Sequence, residues 1–360
     1  MSILKSLGRN MRKIVSNGEV HRESNYDWMR VFAMCMVILN HVADYYINIW
    51  NRRELIPNRT IYICEGISHL AVPLFLMLTG VFVIDKAGKL APKVFYIKSL
   101  KKLGRPLLIF VIAYYAYDLI NGRITIYKVF ESFYRGFAST YAHWYVVMLA
   151  MVYAFLPLVA FCKKHVEYKV YEKACIVLFV WLMIGKHFSD NTVSWGYGNL
   201  YFLGYVLIGD IIHTRLKDKH NNIAACIFIV CSILISGLSN LILRQIVIDG
   251  GSYYNTIFSY AGPWRVTATL IAFIGFTLLN VKRGPAIISG ASYTVFLVHK
   301  LIINILDDHT YLFETVETVS NSNIKIMIPL VWIVIFISAL VTALIFNALL
   351  NVITRRERKS

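Results

Sequence analysis

The sequence predicts an all-α, polytopic membrane helix bundle of about ten transmembrane helices, with both termini in the cytoplasm. Three observations carry this expectation. Hydrophobic residues fill 58% of the 360 positions, charged residues only 16%, and the mean hydropathy is +0.58. Apolar runs of about 20 residues, the length that spans a bilayer as a helix, recur along the chain. Lys and Arg are also unevenly shared between the loops that separate those runs.

The runs lie near residues 28–48, 62–84, 104–121, 143–162, 173–188, 198–213, 223–243, 260–280, 286–306 and 326–350. The fifth is short and the sixth carries polar residues. With the N-terminus in the cytoplasm, 25 of the 37 Lys and Arg fall in cytoplasmic segments, among them the stretch from Asp85 to Arg105 and the terminal RRERK. Topology and anionic headgroups thus account for the net charge of +17, and no nucleic-acid partner is needed. The first run is too long, and lacks the small-residue site, for a cleavable signal peptide.

Residues 1–24 read as a cytoplasmic basic tail. Within it, positions 3–15 space Ile3, Leu4, Leu7, Met11, Ile14 and Val15 along one side, as an interfacial helix would. Residues 25–352 form the membrane domain, and 353–360 a second basic tail. The six cysteines have neither metal-ligand nor redox spacing and read as reduced packing residues. The longest loops, expected at 85–103, 121–142 and 307–325, are too short for a soluble domain.

Chemistry must therefore come from polar residues within the helices. There is no GxSxG elbow, Walker loop, GxGxxG turn or HExxH pair. Ionisable groups in hydrocarbon cost a few kcal/mol each, which makes those that persist functional candidates. Arg30 and His41 sit in the first run, and eleven helical steps bring them to within about 20° of one face, roughly 16 Å apart along the axis. A neutral imidazole there can take a proton from a hydroxyl or thiol. Asp44, one turn on, can orient it. The alternatives are a packing histidine and an interfacial aspartate.

His299 in SYTVFLVHK is expected at a similar depth, with Ser292 on its face and Lys300 turned elsewhere; a purely hydrogen-bonding role is the alternative. Lys102 and Arg105 are three apart at a helix entrance and can bind a phosphorylated ligand, although an anchor to the membrane surface explains the neighbouring lysines equally well. Glu65 and His69 form an i,i+4 pair, and Arg265 lies in a GPWR segment. Each suits either a substrate or a structural partner.

Several segments in sequence resemble the acyltransferase 3 family of integral membrane acyltransferases, over roughly residues 25–350. They are the Arg-x10-His element in DWMRVFAMCMVILNH, VPLFLMLTGVFV at 72–83, KKLGRP, HWYVVMLAMVYAFLPLV, YFLGYVLIGDII and GASYTVFLVHKLI. Thr79 stands where the family usually has Ser. Lys102 replaces the first arginine of a pair, which keeps the charge and loses the bidentate fork.

The resemblance implies transfer of an acyl group, usually acetyl, from cytoplasmic acyl-CoA to a hydroxyl of a surface glycan or lipid-linked saccharide, in a bacterial cytoplasmic membrane. Arg30, Lys102 and Arg105 would hold the coenzyme phosphates, and His41 would activate the acceptor or transiently carry the acyl group. His299 and Ser292 would lie near the same pocket, and no metal is called for. The competing expectation is a transporter or flippase of a glycan precursor, which would predict paired broken helices. A structural membrane scaffold would leave Arg30, His41 and Asp44 unexplained.

Overall fold

A computed structural model describes residues 23–52, 59–134, 143–188, 199–246, 259–310 and 324–357. The described residues form helices and turns, with no strand among them. In chain order the helices are α1 (Ser24–Arg52), α2 (Arg59–Ser68), α3 (Ala71–Gly88), α4 (Pro92–Ser99), α5 (Arg105–Ile120), α6 (Ile126–Tyr134) and α7 (His143–His165). They continue with α8 (Tyr168–Phe188), α9 (Tyr201–Leu216), α10 (Asn222–Ile246), α11 (Pro263–Leu278), α12 (Ala286–His309) and α13 (Ile324–Glu357).

Each apolar run falls largely on a helix, but among the described residues six stretches are long and apolar enough to cross a membrane: Arg59–Gly88, Pro92–Ile120, Trp144–His165, Asn222–Ile246, Ala286–His309 and Lys325–Ile353. Helices α9 and α11 have 16 residues each, short of the roughly 20 that a spanning helix uses. Helix α1 is 29 residues long, and Asp27, Arg30, Asn40, His41 and Asp44 interrupt its apolar run.

The segment 85–103, expected as a loop, is mostly helical. Pro92 starts α4, Phe95 is buried, and residues Leu100–Gly104 form a π-turn leading into α5. Within 121–142, α6 occupies Ile126–Tyr134. The expected interfacial helix at 3–15 and most of the 307–325 loop lie outside the described residues.

Burial shows which solvent the bundle is built for. On α13 the exposed residues Leu330, Ile333, Ile337, Val341 and Ile345 recur every three or four positions, opposite buried Val331, Ile335, Ala339 and Ala343. Such an apolar stripe suits lipid. On α10 the usual polarity is inverted: Ser232, Ser236 and Asn240 are buried while Ile227, Leu234, Leu238 and Ile242 are exposed. Two of these groups bond across to α2, Ser236 Oγ to the Gly66 carbonyl at 2.7 Å and Asn240 Nδ2 to the Tyr62 carbonyl at 2.7 Å. Interhelical hydrogen bonds of this kind join helices in lipid, where burial of apolar surface gives little advantage.

Two apolar cores meet along α1. Tyr26, Met29 and Ala33 pack into a core with α3, α7, α8, α9 and α11. Met34, Ile38, Val42, Ala43 and Tyr46 pack into a second with α12 and α13. Helix α1 also touches α2, so one central helix carries both Arg30 and His41. Helices α3 and α9 are fixed closely together by glycine: a methyl on Gly80 would run into the Val206 carbonyl, and one on Gly209 would sit 2.5 Å from the Met77 carbonyl.

Candidate active site

At the start of α1, Asp27 is 1% exposed and accepts hydrogen bonds from Arg30 Nη1 at 3.1 Å and Ser289 Oγ at 2.5 Å. The Arg30 guanidinium lies over the Phe82 ring, 4.3 Å from its centre. A charge partner and an aromatic face together orient the cation. Lys102 and Lys86 share its electrostatic field, giving a patch of three cations at this end of the bundle.

Lys102 and Arg105 are less alike than their spacing suggests. The π-turn Leu100–Gly104 separates them, and its wider winding turns the i,i+3 pair further apart than an α-helix would. Lys102 faces the field of Arg30, whereas Arg105 and Lys101 line a cavity of about 450 Å³ together with Leu107, Val111 and Val146. Tyr293 Oη donates to the Leu103 carbonyl at 2.8 Å, tying this π-turn to α12.

The two histidines come together. The rings of His41 and His299 are 4.9 Å apart at 35°, joining α1 to α12. His299 is fully buried, and its Nδ1 lies 3.2 Å from the Val295 carbonyl. A carbonyl only accepts, so Nδ1 carries the proton and Nε2 presents its lone pair. That Nε2 has no hydrogen-bond partner among the described residues.

Tyr114 of α5 reaches the same turn. Its hydroxyl accepts from Leu301 N at 2.8 Å and donates to the Leu297 carbonyl at 3.1 Å, straddling one rung of the α12 ladder beside His299. Ser292 is buried two turns earlier, about 10 Å along the axis, beyond hydrogen-bond reach of His299.

Asp44 accepts from Asn40 Nδ2 at 2.8 Å, and Asn40 in turn accepts from Ser68 Oγ at 2.9 Å. The ring against His41 is thus His299, while the bond to Asp44 comes from Asn40. Lys300, expected to point elsewhere, lies within the electrostatic field of both His41 and Asp44.

Glu65 and Arg265 meet in one cluster. Glu65 is 4% exposed and is gripped by both Nε and Nη2 of Arg244, with Nε at 3.1 Å from Oε2. Asn240 Nδ2 donates to the same Oε2 at 3.0 Å, and Asn240 Oδ1 accepts from Arg265 Nη2 at 3.3 Å. His69 turns back to its own helix, with Nδ1 2.6 Å from the Glu65 carbonyl. Its placement follows from Pro73, whose ring cannot fit against the carbonyl four residues earlier and so breaks α2 from α3 at His69–Leu70. Asp44 shares the field of Glu65, Arg244 and Arg265.

Sequence reading overlooked Asp27, Ser289, Asn40, Tyr114, Asn240 and Arg244 as members of these groups. Asp27 had a signal, since it stands three residues before Arg30. Arg244 reads as a loop cation until the structure puts it against Glu65. Among the described residues, no group of three His, Cys, Asp or Glu side chains could hold a metal ion.

No curated protein or solved structure gives a significant match to the chain. A family model described as an acyltransferase domain, that of acyltransferase 3, matches residues 23–348 and so takes in every group described above. The chain belongs to the acyltransferase 3 family of membrane acyltransferases.

Proposed function

We propose that the protein is a membrane O-acyltransferase that moves an acetyl group from cytoplasmic acetyl-CoA to a hydroxyl of a surface glycan or lipid-linked saccharide. The observation that carries this reading is the His41–His299 ring pair, in which fully buried His299 has one ring nitrogen left over for chemistry. The chain would cross a bacterial cytoplasmic membrane about ten times, with both termini inside. The Arg30 end of the bundle then faces the cytoplasm and the donor.

Arg30, Lys102 and Arg105 would contact the coenzyme phosphates. Asp27 and Phe82 already hold the Arg30 guanidinium in one orientation, which lowers the cost of ordering it on the donor. About two-thirds of the way along α1, His41 would take the acceptor proton as the hydroxyl oxygen attacks the thioester carbonyl. The C–S bond then breaks and the thiolate leaves with the electron pair, taking up the proton that His41 received. His299 would lie behind His41 and share that proton through Nε2. Ser292, about 10 Å nearer the cation patch, suits the approach of the donor rather than the proton transfer.

Positioning and a general base together supply much of the acceleration in such a transfer, the base alone about 10²–10⁴-fold. His41→Ala should therefore reduce acetyl transfer from acetyl-CoA to lipid-linked glycan about a thousandfold or more, with unchanged folded yield. Purified wild type and variant would be compared in the same detergent. Full transfer by the variant would move the chemistry away from His41. No donor turnover by either protein would favour glycan transport.

A further inference from the structure

At the end of the bundle opposite Arg30, the starts of α7, α9 and α11 bring aromatic rings together. Trp144 is 40% exposed. It stacks on Tyr260, with ring centres 6.2 Å apart at 28°, and both rings pack on buried Phe202, at 6.0 and 5.7 Å. His69 closes the row against Tyr260 at 5.4 Å. Tyr205 Oη donates to the Tyr260 carbonyl at 2.6 Å, which fixes the Tyr260 backbone in front of α11.

Two features separate this row from a simple interfacial belt. Tyr260 and His69 each share the field of buried Arg265, so the rings border the cluster of Glu65, Asn240, Arg244 and Arg265. The row also connects to the histidine pair. Trp144 meets Tyr145 at 6.1 Å, Tyr145 meets Phe296 at 4.6 Å, and Phe296 meets His299 at 5.7 Å.

We propose that Trp144 and Tyr260 form the platform on which a pyranose ring of the acceptor lies. The inference rests on the acyl-acceptor reading above and adds the part of the site that recognises the sugar. The physical match is direct. A pyranose carries a face of C–H groups, weakly positive at hydrogen, and an aromatic face is negative. An acyclic polyol has the hydroxyls and lacks the rigid C–H face.

The test compares acetyl transfer from acetyl-CoA to methyl glucoside and to sorbitol by wild type, Trp144→Ala and Trp144→Phe. Wild type should prefer the ring acceptor. In Trp144→Ala the ratio of kcat/KM for ring over acyclic acceptor should fall about tenfold, with Trp144→Phe retaining part of the preference. An equal loss on both acceptors, or no loss on either, overturns the platform. If wild type hydrolyses acetyl-CoA yet acetylates neither polyol nor lipid-linked glycan, the acceptor reading fails, and the platform falls with it.

Discussion

Two polar regions lie side by side in the interior, and they use their atoms in opposite ways. Around Glu65 the groups satisfy one another: both carboxylate oxygens are engaged by Arg244, one also by Asn240, and Asn240 is completed by Arg265. At the histidine pair the matching stops short. His299 is fully buried, spends Nδ1 on a backbone carbonyl and leaves Nε2 without a partner among the described residues. A buried polar atom left unpaired costs about 1–3 kcal/mol, and a fold that only needed packing would gain by replacing it. The contrast sets a cluster whose buried charges are matched at Glu65 against an unmatched nitrogen at His299, which is the group free for a proton in the proposed transfer.

The sharpest way to break this comparison is Glu65→Ala. It would strand Arg244 and Arg265 in the interior without their carboxylate, and breaking a buried pair from one side costs about 3–5 kcal/mol. Thermal unfolding in detergent should shift steeply downward, and adding Arg244→Leu should recover part of the loss because the uncompensated charge goes with it. An unshifted midpoint would show that the cluster does not hold α2 against α10.

His299→Phe asks the converse. The phenyl ring keeps the shape that packs on His41 and Phe296 and removes the unpaired nitrogen. Acyl transfer should fall about a hundredfold, within the range expected for a proton-handling group, while the unfolding midpoint holds or rises. A large fall in stability with activity retained would reverse the assignment of the two regions.

The helical fold and the residues of the histidine pair were legible because each rests on a local pattern. Apolar runs show up as helices wherever the lipid or the core needs them, and Arg30 and His41 share a face by simple rotation along one helix. What escaped depends on contacts between distant segments. Nothing local tells that Arg244 meets Glu65 across α2 and α10, or that Tyr293 binds the Leu103 carbonyl in KKLGRP. The stretch 85–103 departs from its loop composition for a related reason: its lysines suit a cytoplasmic connection, while Pro92 and buried Phe95 dictate a helix. Even Lys300 was lost to the same cause, since rotation about α12 separates it from His299 yet says nothing about Asp44 on α1.

The finest distinction is made by a hydroxyl that belongs to neither region. Tyr114 Oη takes the N–H of Leu301 and gives its proton to the Leu297 carbonyl, so a side chain of α5 fastens the turn of α12 that carries His299 and Lys300. Groups that enter a helical ladder bend it locally and set where its side chains point. Tyr114→Phe keeps the ring in the core and lets Leu301 and Leu297 bond each other directly, so the fold loses little. Transfer should nonetheless drop about tenfold in kcat with the KM for acetyl-CoA unchanged, because the His299 ring is re-aimed against His41 while the cation patch is untouched. In the His299→Phe background, Tyr114→Phe should cost nothing more, since there is no longer a ring nitrogen to aim. Independent, multiplicative losses in the double variant would mean that Tyr114 acts on something other than His299.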